Sequence, residues 1–425
     1  MEPSTDASRI APVNRLQAVA VDDRLVVLDP ISARRVLLNA TAALIFTAVD
    51  TQRRVGDVVT QIAEESGVDA DVIGDDVRHT VDDLLARGML HRDDLEDAVR
   101  HDRSITESVA SNDDGALTIG VVWAYDSGPI RAAGTTVAVR CEVASPGEEL
   151  AEAFAGLPRA GGDGEAAHRI EIVLADGEGA GATSAPDDDA VFQVVVDGVV
   201  RSGSLTPGAA VALVFDQLDL LLVDRADGLR FHAGAVERDG DVVVIVGQSG
   251  HGKSTLTAAL VQAGWRYLTD ELAAVDASTF AVAPYARPLD LSQASLDQLH
   301  IGSADLVTGA RKDKVFPSRL GQLSAGGRVA AIVVLTGEPP EDGLLVTDLA
   351  TPEAVMALLA LTFAATFDDP NALEHLARLC ALARTVRLHR ARLDDMVAAV
   401  EAVAASVESV APIAPSNAAL AGSAE

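Results

Sequence analysis

Cysteine is almost absent: only Cys141 and Cys380 occur in a chain of 425 residues. Two scattered thiols exclude a disulfide framework and a cysteine-based metal site, and they read as reduced structural residues. Aromatic residues make up only 3% of the chain although hydrophobic residues reach 48%, so the interior must be built mainly from Ala, Val and Leu. Basic residues are scarce beside acidic ones, 33 against 64, for a formal charge of -31. The summed field of such a chain repels polyanions, which argues against a nucleic-acid surface or an anionic membrane surface. It leaves room for a small basic pocket around a nucleotide carried with Mg2+. Long hydrophobic runs are missing too. The most apolar stretch, residues 355–367, is interrupted by Thr362 and Thr366 and is shorter than the ~20 residues a membrane span requires. The first thirty residues hold no apolar segment of signal-peptide type. A soluble, cytoplasmic, multidomain protein is expected.

Within those bounds the chain changes character three times. Residues 25–28 and 36–38 read as short strands around the turn residues Asp29, Pro30 and Ser32, and Asn39 is placed to cap a helix over 40–49. Apolar residues at three- and four-residue spacing predict further helices over 55–65 and 71–87. This is a small α+β domain over residues 12–95. Residues 96–115 are charged and read as a linker. A β-rich subdomain over 116–209 follows, with strands expected at 117–123, 136–143, 170–173 and 191–196, and a further strand at 210–215. An α/β domain occupies 210–408, with a strand at 330–335, helices over 352–365, 371–382 and 392–407, and a short strand at 386–388. The tail, 409–425, has no reason to fold.

The most specific signal lies in the α/β part. Five consecutive β-branched residues, 242–246, predict a strand buried on both faces. They lead into Gly247, Gln248, Ser249, Gly250, His251, Gly252, Lys253, Ser254 and Thr255, a full match to G-x-x-x-x-G-K-[ST], and an apolar-faced helix follows. Glycines let the backbone wrap closely, so that its N–H groups and the helix N-terminus face phosphate oxygens. Lys253 is then expected to reach the terminal phosphates and Ser254 to place its hydroxyl on Mg2+. ATP or GTP binding is the expectation. Asp270 and Glu271 close the next strand, where one carboxylate can hold Mg2+ and another can accept a proton from an incoming hydroxyl; an acidic helix cap is the alternative. His232 lies on a segment, 229–235, that pairs naturally with 242–246 as a hairpin. By position alone it is either a structural histidine or a neighbour of the loop. Arg311, Lys312 and Lys314 form either a solvated loop or a segment that neutralises a transferring phosphoryl group. Arg287 is a weaker candidate of that kind.

These residues resemble a known family. Phe231-His232-Ala233-Gly234, the strand and loop through Thr255, Gly264-Trp265-Arg266 and Thr269-Asp270-Glu271 look like the catalytic domain of the HPr kinase/phosphorylase family and its relatives. The resemblance implies that Lys253 binds phosphate, that Ser254 is a magnesium ligand, that Asp270 activates the acceptor hydroxyl, and that His232 is a neighbour tuning Asp270; with Ser254, the carboxylates Asp270 and Glu271 are the expected metal ligands. It also implies assembly into a homo-oligomer. The chain departs from the family in carrying Asp270-Glu271 where consecutive aspartates stand, and its glycine- and asparagine-rich signature is not visible. The N-terminal domain resembles the PqqD family of winged-helix-type peptide-binding proteins, through Val36-Leu37-Leu38-Asn39-Ala40-Thr41-Ala42, the 55–62 helix and residues 82–90. That resemblance implies recognition of a leader peptide added as an extra strand, with the 25–38 hairpin as the edge. Joined, the two parts suggest an ATP- and Mg2+-dependent kinase acting on a Ser or Thr hydroxyl of a precursor or partner peptide. A small-molecule kinase and a nucleotide-dependent binding or scaffold protein are the alternatives.

Overall fold

The computed structural model describes residues 5–13, 16–31, 34–49, 53–92, 123–155, 157–160, 166–174, 191–202, 205–226, 228–302, 306–307, 313–340 and 343–407. The expected linker at 96–115, most of the strand at 117–123 and the tail at 409–425 lie outside the described residues.

A sheet in the second half of the chain organises the molecule. Strand Leu229–Arg238 pairs antiparallel with Asp241–Val246, with Ala233 opposite Val246 and Arg238 opposite Asp241, so the hairpin expected around His232 is present. Asp241–Val246 also runs parallel to Gly327–Leu335, which runs parallel to Arg384–Leu388. On its other edge Leu229–Arg238 receives both Arg266–Thr269 and Leu272–Val275. The short strand Ala281–Val282 then links Leu272–Val275 back to Gly327–Leu335, so five strands close into a ring. Alternation along the buried strands sorts their side chains. Val243, Ile245, Ala331 and Val333 face one apolar cluster with Leu256 and Leu260 of the following helix, whereas Val242, Val244, Val246, Ile332 and Val334 face a second cluster with Val355, Leu358 and Leu376.

One apolar run takes a different form from the expected one. Residues 210–215 are not a strand but part of the helix Pro207–Arg225. A short apolar run does not distinguish strand from helix by itself, and here it continues through Leu218, Leu221 and Leu222, too long for a strand, behind a proline at the first helical turn. The preceding region carries its expected strands as Thr135–Cys141, His168–Leu174 and Phe192–Val196. It also contains a helix, Ala144–Phe154, between the first two, which run parallel. That is the crossover a parallel pair requires. The helix expected over 352–365 ends earlier, as Thr351–Leu359, where Thr362 turns its hydroxyl back to the Leu358 carbonyl.

The N-terminal part is a small α+β domain. Its helices Ala40–Ala48, Val55–Ser66 and Ala70–Ala86 pack on Leu25, Val27, Val36 and Leu38. Asn39 caps the first helix by accepting from the Ala42 N–H at 2.9 Å. An unanticipated strand, Gln17–Val21, pairs with Arg24–Asp29, which pairs with Arg34–Leu38. Residues 24–29 are therefore interior to the three-stranded sheet, and 34–38 is an edge. The opposite face of this sheet, with Val21, Val26 and Leu28, belongs to the second cluster of the larger sheet. Arg24 Nη1 lies 2.6 Å from Glu353 Oε1 across that junction.

A buried knot fixes the turn of the central hairpin. Glu237, 3% exposed, accepts from the Gly240 N–H, from Arg266 Nε and Nη2, and from the Ser324 hydroxyl, at 2.6, 2.6, 2.6 and 2.9 Å. Burial pushes its carboxyl up, but the bonds from Arg266, Gly240 and Ser324 outweigh that and hold it below the usual range. A depressed carboxylate stabilises the fold above its unfolded pKa, and the contribution is lost as pH falls through the folded one. Glu237→Gln is therefore expected to lose on the order of 1–3 kcal/mol at neutral pH. In urea titrations the gap to the native chain should narrow below about pH 4; a gap that persists unchanged in acid would contradict the assignment.

Candidate active site

The Gly247–Gly252 loop joins the buried strand Asp241–Val246 to the helix Lys253–Gln262. Gly250 and Gly252 hold φ of 85° and 93°, in the left-handed region where a side chain is strained. A Cβ on Gly247 would stand 3.1 Å from that of Leu335, so the loop also needs glycine where it leaves the sheet. Gln248, Ser249, Gly250 and Gly252 are exposed, and Ser254 and Thr255 are half-buried at the helix start. Thr255 Oγ1 meets Ser295 Oγ at 2.8 Å. His251 turns aside, its Nδ1 3.2 Å from the Leu335 carbonyl oxygen. Lys253 is buried and donates to the Gly247 carbonyl at 2.9 Å, closing the loop on itself. Burial lowers its pKa, against the opposing pull of Asp270 and Glu271.

Asp270 stands between Arg266–Thr269 and Leu272–Val275, both of which pair with the His232 strand. It is 6% exposed, its Oδ1 has no hydrogen-bond partner, and burial pushes its carboxyl up to about 7 despite the neighbouring Ser254 hydroxyl. Glu271 behaves differently. Burial pushes its carboxyl up too, but the bond from His232 and the charges of Arg287 and Lys253 hold it below its ordinary value. Two adjacent carboxyls are thus driven apart, one toward a proton and one toward a fixed charge, a pattern that separates acid–base from electrostatic roles.

His232 pairs with Glu271, not with Asp270 as the resemblance implied: its Nδ1 is 2.8 Å from Glu271 Oε1. The register accounts for this, since His232 lies opposite Leu272 and the Ala233 N–H donates to the Glu271 carbonyl. The Phe363 ring packs edge-on against the imidazole at 6.1 Å between centroids.

The basic candidates separate. Arg311 and Lys312 lie outside the described residues. Lys314 is not part of a solvated loop: it is buried, on the strand Asp313–Val315, and donates to Asp290 Oδ1 at 2.7 Å. Arg287, the weaker candidate, is the centre of a network. Its guanidinium is 5% exposed and lies 2.5 Å from Asp219 Oδ2, 3.1 Å from Asp290 Oδ2 and 3.6 Å from Glu271 Oε2. The Tyr285 hydroxyl donates to Asp219 Oδ1 at 2.6 Å, and burial raises the Asp219 carboxyl to about 6. Asp219, Tyr285 and Asp290 were not singled out from the sequence. Asp216 and Asp219 interrupt an otherwise apolar run three residues apart, a helical spacing that would have flagged them.

No group of three or more metal-ligating His, Cys, Asp or Glu side chains occurs among the described residues. None of their helices is long and apolar enough to cross a membrane.

Residues 24–90 match the family described as Coenzyme PQQ synthesis protein D (PqqD). The N-terminal part is therefore a PqqD-like domain. No curated protein matches the chain. Among solved structures, the Hpr(Ser) kinase/phosphatase from Coxiella burnetii is similar over 41% of this chain and 87% of its own, at 11% identity and a TM-score of 0.24. A similarity of that size does not define a fold.

Proposed function

We propose that the chain is an ATP-dependent kinase that transfers phosphate to a Ser or Thr hydroxyl of a peptide held by its PqqD-like domain. The observation that carries this reading is Asp270: a buried carboxyl, displaced toward neutrality, with one unpaired oxygen, beside Ser254 and within the field of Lys253. Such a group is suited to taking a proton from an acceptor hydroxyl near neutral pH.

The surrounding residues fit a magnesium nucleotide. The buried Asp270 carboxylate and the Ser254 hydroxyl beside it supply hard oxygen donors, and magnesium takes few protein ligands when phosphates complete its shell. Glu271 would join them or stand behind them. When bound, the metal and nucleotide supply the phosphoryl group and neutralise its charge. Exposed loop N–H groups and the helix N-terminus orient the phosphates, and Lys253 exchanges the Gly247 carbonyl for them. Positioning and charge stabilisation then supply most of the rate. His232 and Arg287 hold Glu271 as a fixed negative charge, which helps retain Lys253 as a cation.

In this reading residues 12–95 tether the peptide, 116–209 support the catalytic part, and 210–408 carry the chemistry. Tethering raises the local concentration of the acceptor, so the catalytic cleft itself need not bind the acceptor segment tightly. The test is incubation with γ-labelled ATP, Mg2+ and peptides that bind the PqqD-like domain, with the modified residue located by mass. Label on a Ser or Thr, and competition by excess leader-only peptide, are expected. Binding of peptide and nucleotide without transfer to any hydroxyl would replace the reading with a nucleotide-dependent binding protein.

A further inference from the structure

The start of the helix Lys253–Gln262 contains a polar atom with no work assigned to it. Thr257 is fully buried, and its hydroxyl has no hydrogen-bond partner. Burying a hydroxyl unpaired costs on the order of 1–3 kcal/mol, whereas a valine of the same shape would cost nothing of the kind. Asp270 Oδ1 is a second buried atom without a hydrogen-bond partner. Gly234 places the two in one space: a Cβ there would lie 2.2 Å from Thr257 Oγ1 and 3.4 Å from Asp270 Oδ1. Glycine at 234 is therefore what lets the helix and the Asp270 segment approach the same face of the hairpin strand. A donor and an acceptor, each orphaned, therefore border the same gap over Gly234.

We propose that Thr257 is a positioning residue for phosphoryl transfer: in the loaded site its hydroxyl donates to Asp270 Oδ1, leaving the other carboxylate oxygen to face the acceptor. This rests on the kinase reading and deepens it. Thr257 is one helical turn from Lys253 and three residues from Ser254, so one helix end carries phosphate binding, metal binding and orientation of the carboxylate. In the unloaded protein the hydroxyl is held in reserve and lowers stability. In the loaded protein it holds Asp270 in one orientation.

The test compares the native chain with Thr257→Val and Thr257→Ser, by melting temperature with and without Mg2+ and a non-hydrolysable ATP analogue, and by steady-state transfer to a peptide. Without nucleotide, Thr257→Val should melt at or above the native temperature, because an unpaired buried hydroxyl is gone. With nucleotide it should gain less stabilisation than the native chain, and its kcat should fall about tenfold with little change in KM, as expected for one lost hydrogen bond. Thr257→Ser should keep native behaviour in both readouts. If Thr257→Val responds to nucleotide and turns over like the native chain, the positioning role is wrong. If it melts lower without nucleotide, Thr257 is a packing residue and the proposal is overturned. If nucleotide leaves the melting of the native chain unmoved, the kinase reading fails and takes this inference with it.

Discussion

Asp270→Asn is expected to lose phosphoryl transfer by a factor of about 10^2–10^4, the usual contribution of a positioned general base, while the protein becomes more stable. The two effects come from one cause. Asp270 is buried at 6% exposure with an unpaired oxygen, and its carboxyl is raised from 3.8 to about 7. A carboxyl raised in the fold favours the protonated state there, so its relative stabilisation is complete below the unfolded value and is lost as pH rises through the folded one. The window runs from about pH 4 to about pH 7, and the full loss is on the order of a few kcal/mol. Asparagine carries no charge and escapes it. Chemical denaturation from pH 4 to 8 should show the native chain losing stability relative to Asp270→Asn across that interval, with the two closest at the acid end. Transfer measured on the same preparations separates lost chemistry from lost fold. Unchanged transfer in Asp270→Asn would remove the base, and with it the observation on which the kinase reading depends.

How much of this was legible in the sequence differed by element. The β-branched run 242–246, its hairpin partner and the helix after the glycine loop follow from local pattern, because a strand buried on both faces and a helix with one apolar side have distinct signatures. The three helices of the N-terminal domain follow for the same reason, helped by Asn39 as a cap. Residues 210–215 misled because an apolar run of six fits either period, and length decides only when Leu218 to Leu222 are counted with it. The candidate site was legible as a set of residues but not as a set of pairs. Asp270, Glu271, Lys253 and Ser254 stand out by motif. That His232 meets Glu271 depends on a register between strands well separated in the chain, which no local pattern carries. Lys314 reads in the sequence as part of a basic loop, solvated or facing a phosphoryl group, because nothing local shows its partner; Asp290 lies on the strand Leu289–Leu291, opposite Lys314. Arg287 reads only as a weaker phosphoryl-neutralising candidate because its partner Asp219 lies beyond the expected strand 210–215, on the helix Pro207–Arg225 that replaces it.

Arg287 gives the largest expected loss of stability. Its guanidinium, 5% exposed, stands among Asp219, Asp290 and Glu271. Burial works against its charge, but the three carboxylates raise its pKa well above the ordinary value, so it is always a cation. Removing one member of a buried ionic group leaves the rest uncompensated, at a cost of about 3–5 kcal/mol. Arg287→Ala should therefore lower the melting temperature further than Glu237→Gln does. Its aftermath has a direction. Asp219, already raised to about 6 beside the cation, should rise further without it and take a proton near neutrality, so the variant should regain part of its stability toward pH 5. Asp219→Asn in the Arg287→Ala background should restore part of the loss at pH 7, where Asp219→Asn alone destabilises, because the Tyr285 hydroxyl still has an oxygen to bond. Arg287→Lys should recover less than its charge suggests, since a point ammonium cannot reach Asp219 Oδ2 and Asp290 Oδ2 with two separate nitrogens as the guanidinium does. The catalytic side follows from Glu271. With Arg287 gone, Glu271 keeps only His232 as its close partner, and its carboxyl should move up toward the ordinary range. Glu271 then takes a proton at a higher pH than in the native chain, and Lys253 loses that part of its negative field only there, so transfer should weaken most toward acid pH. A double-mutant cycle between Arg287 and Asp219, read both by denaturant midpoint and by turnover, separates the two consequences: strong coupling in stability with none in turnover would confine the network to holding the fold.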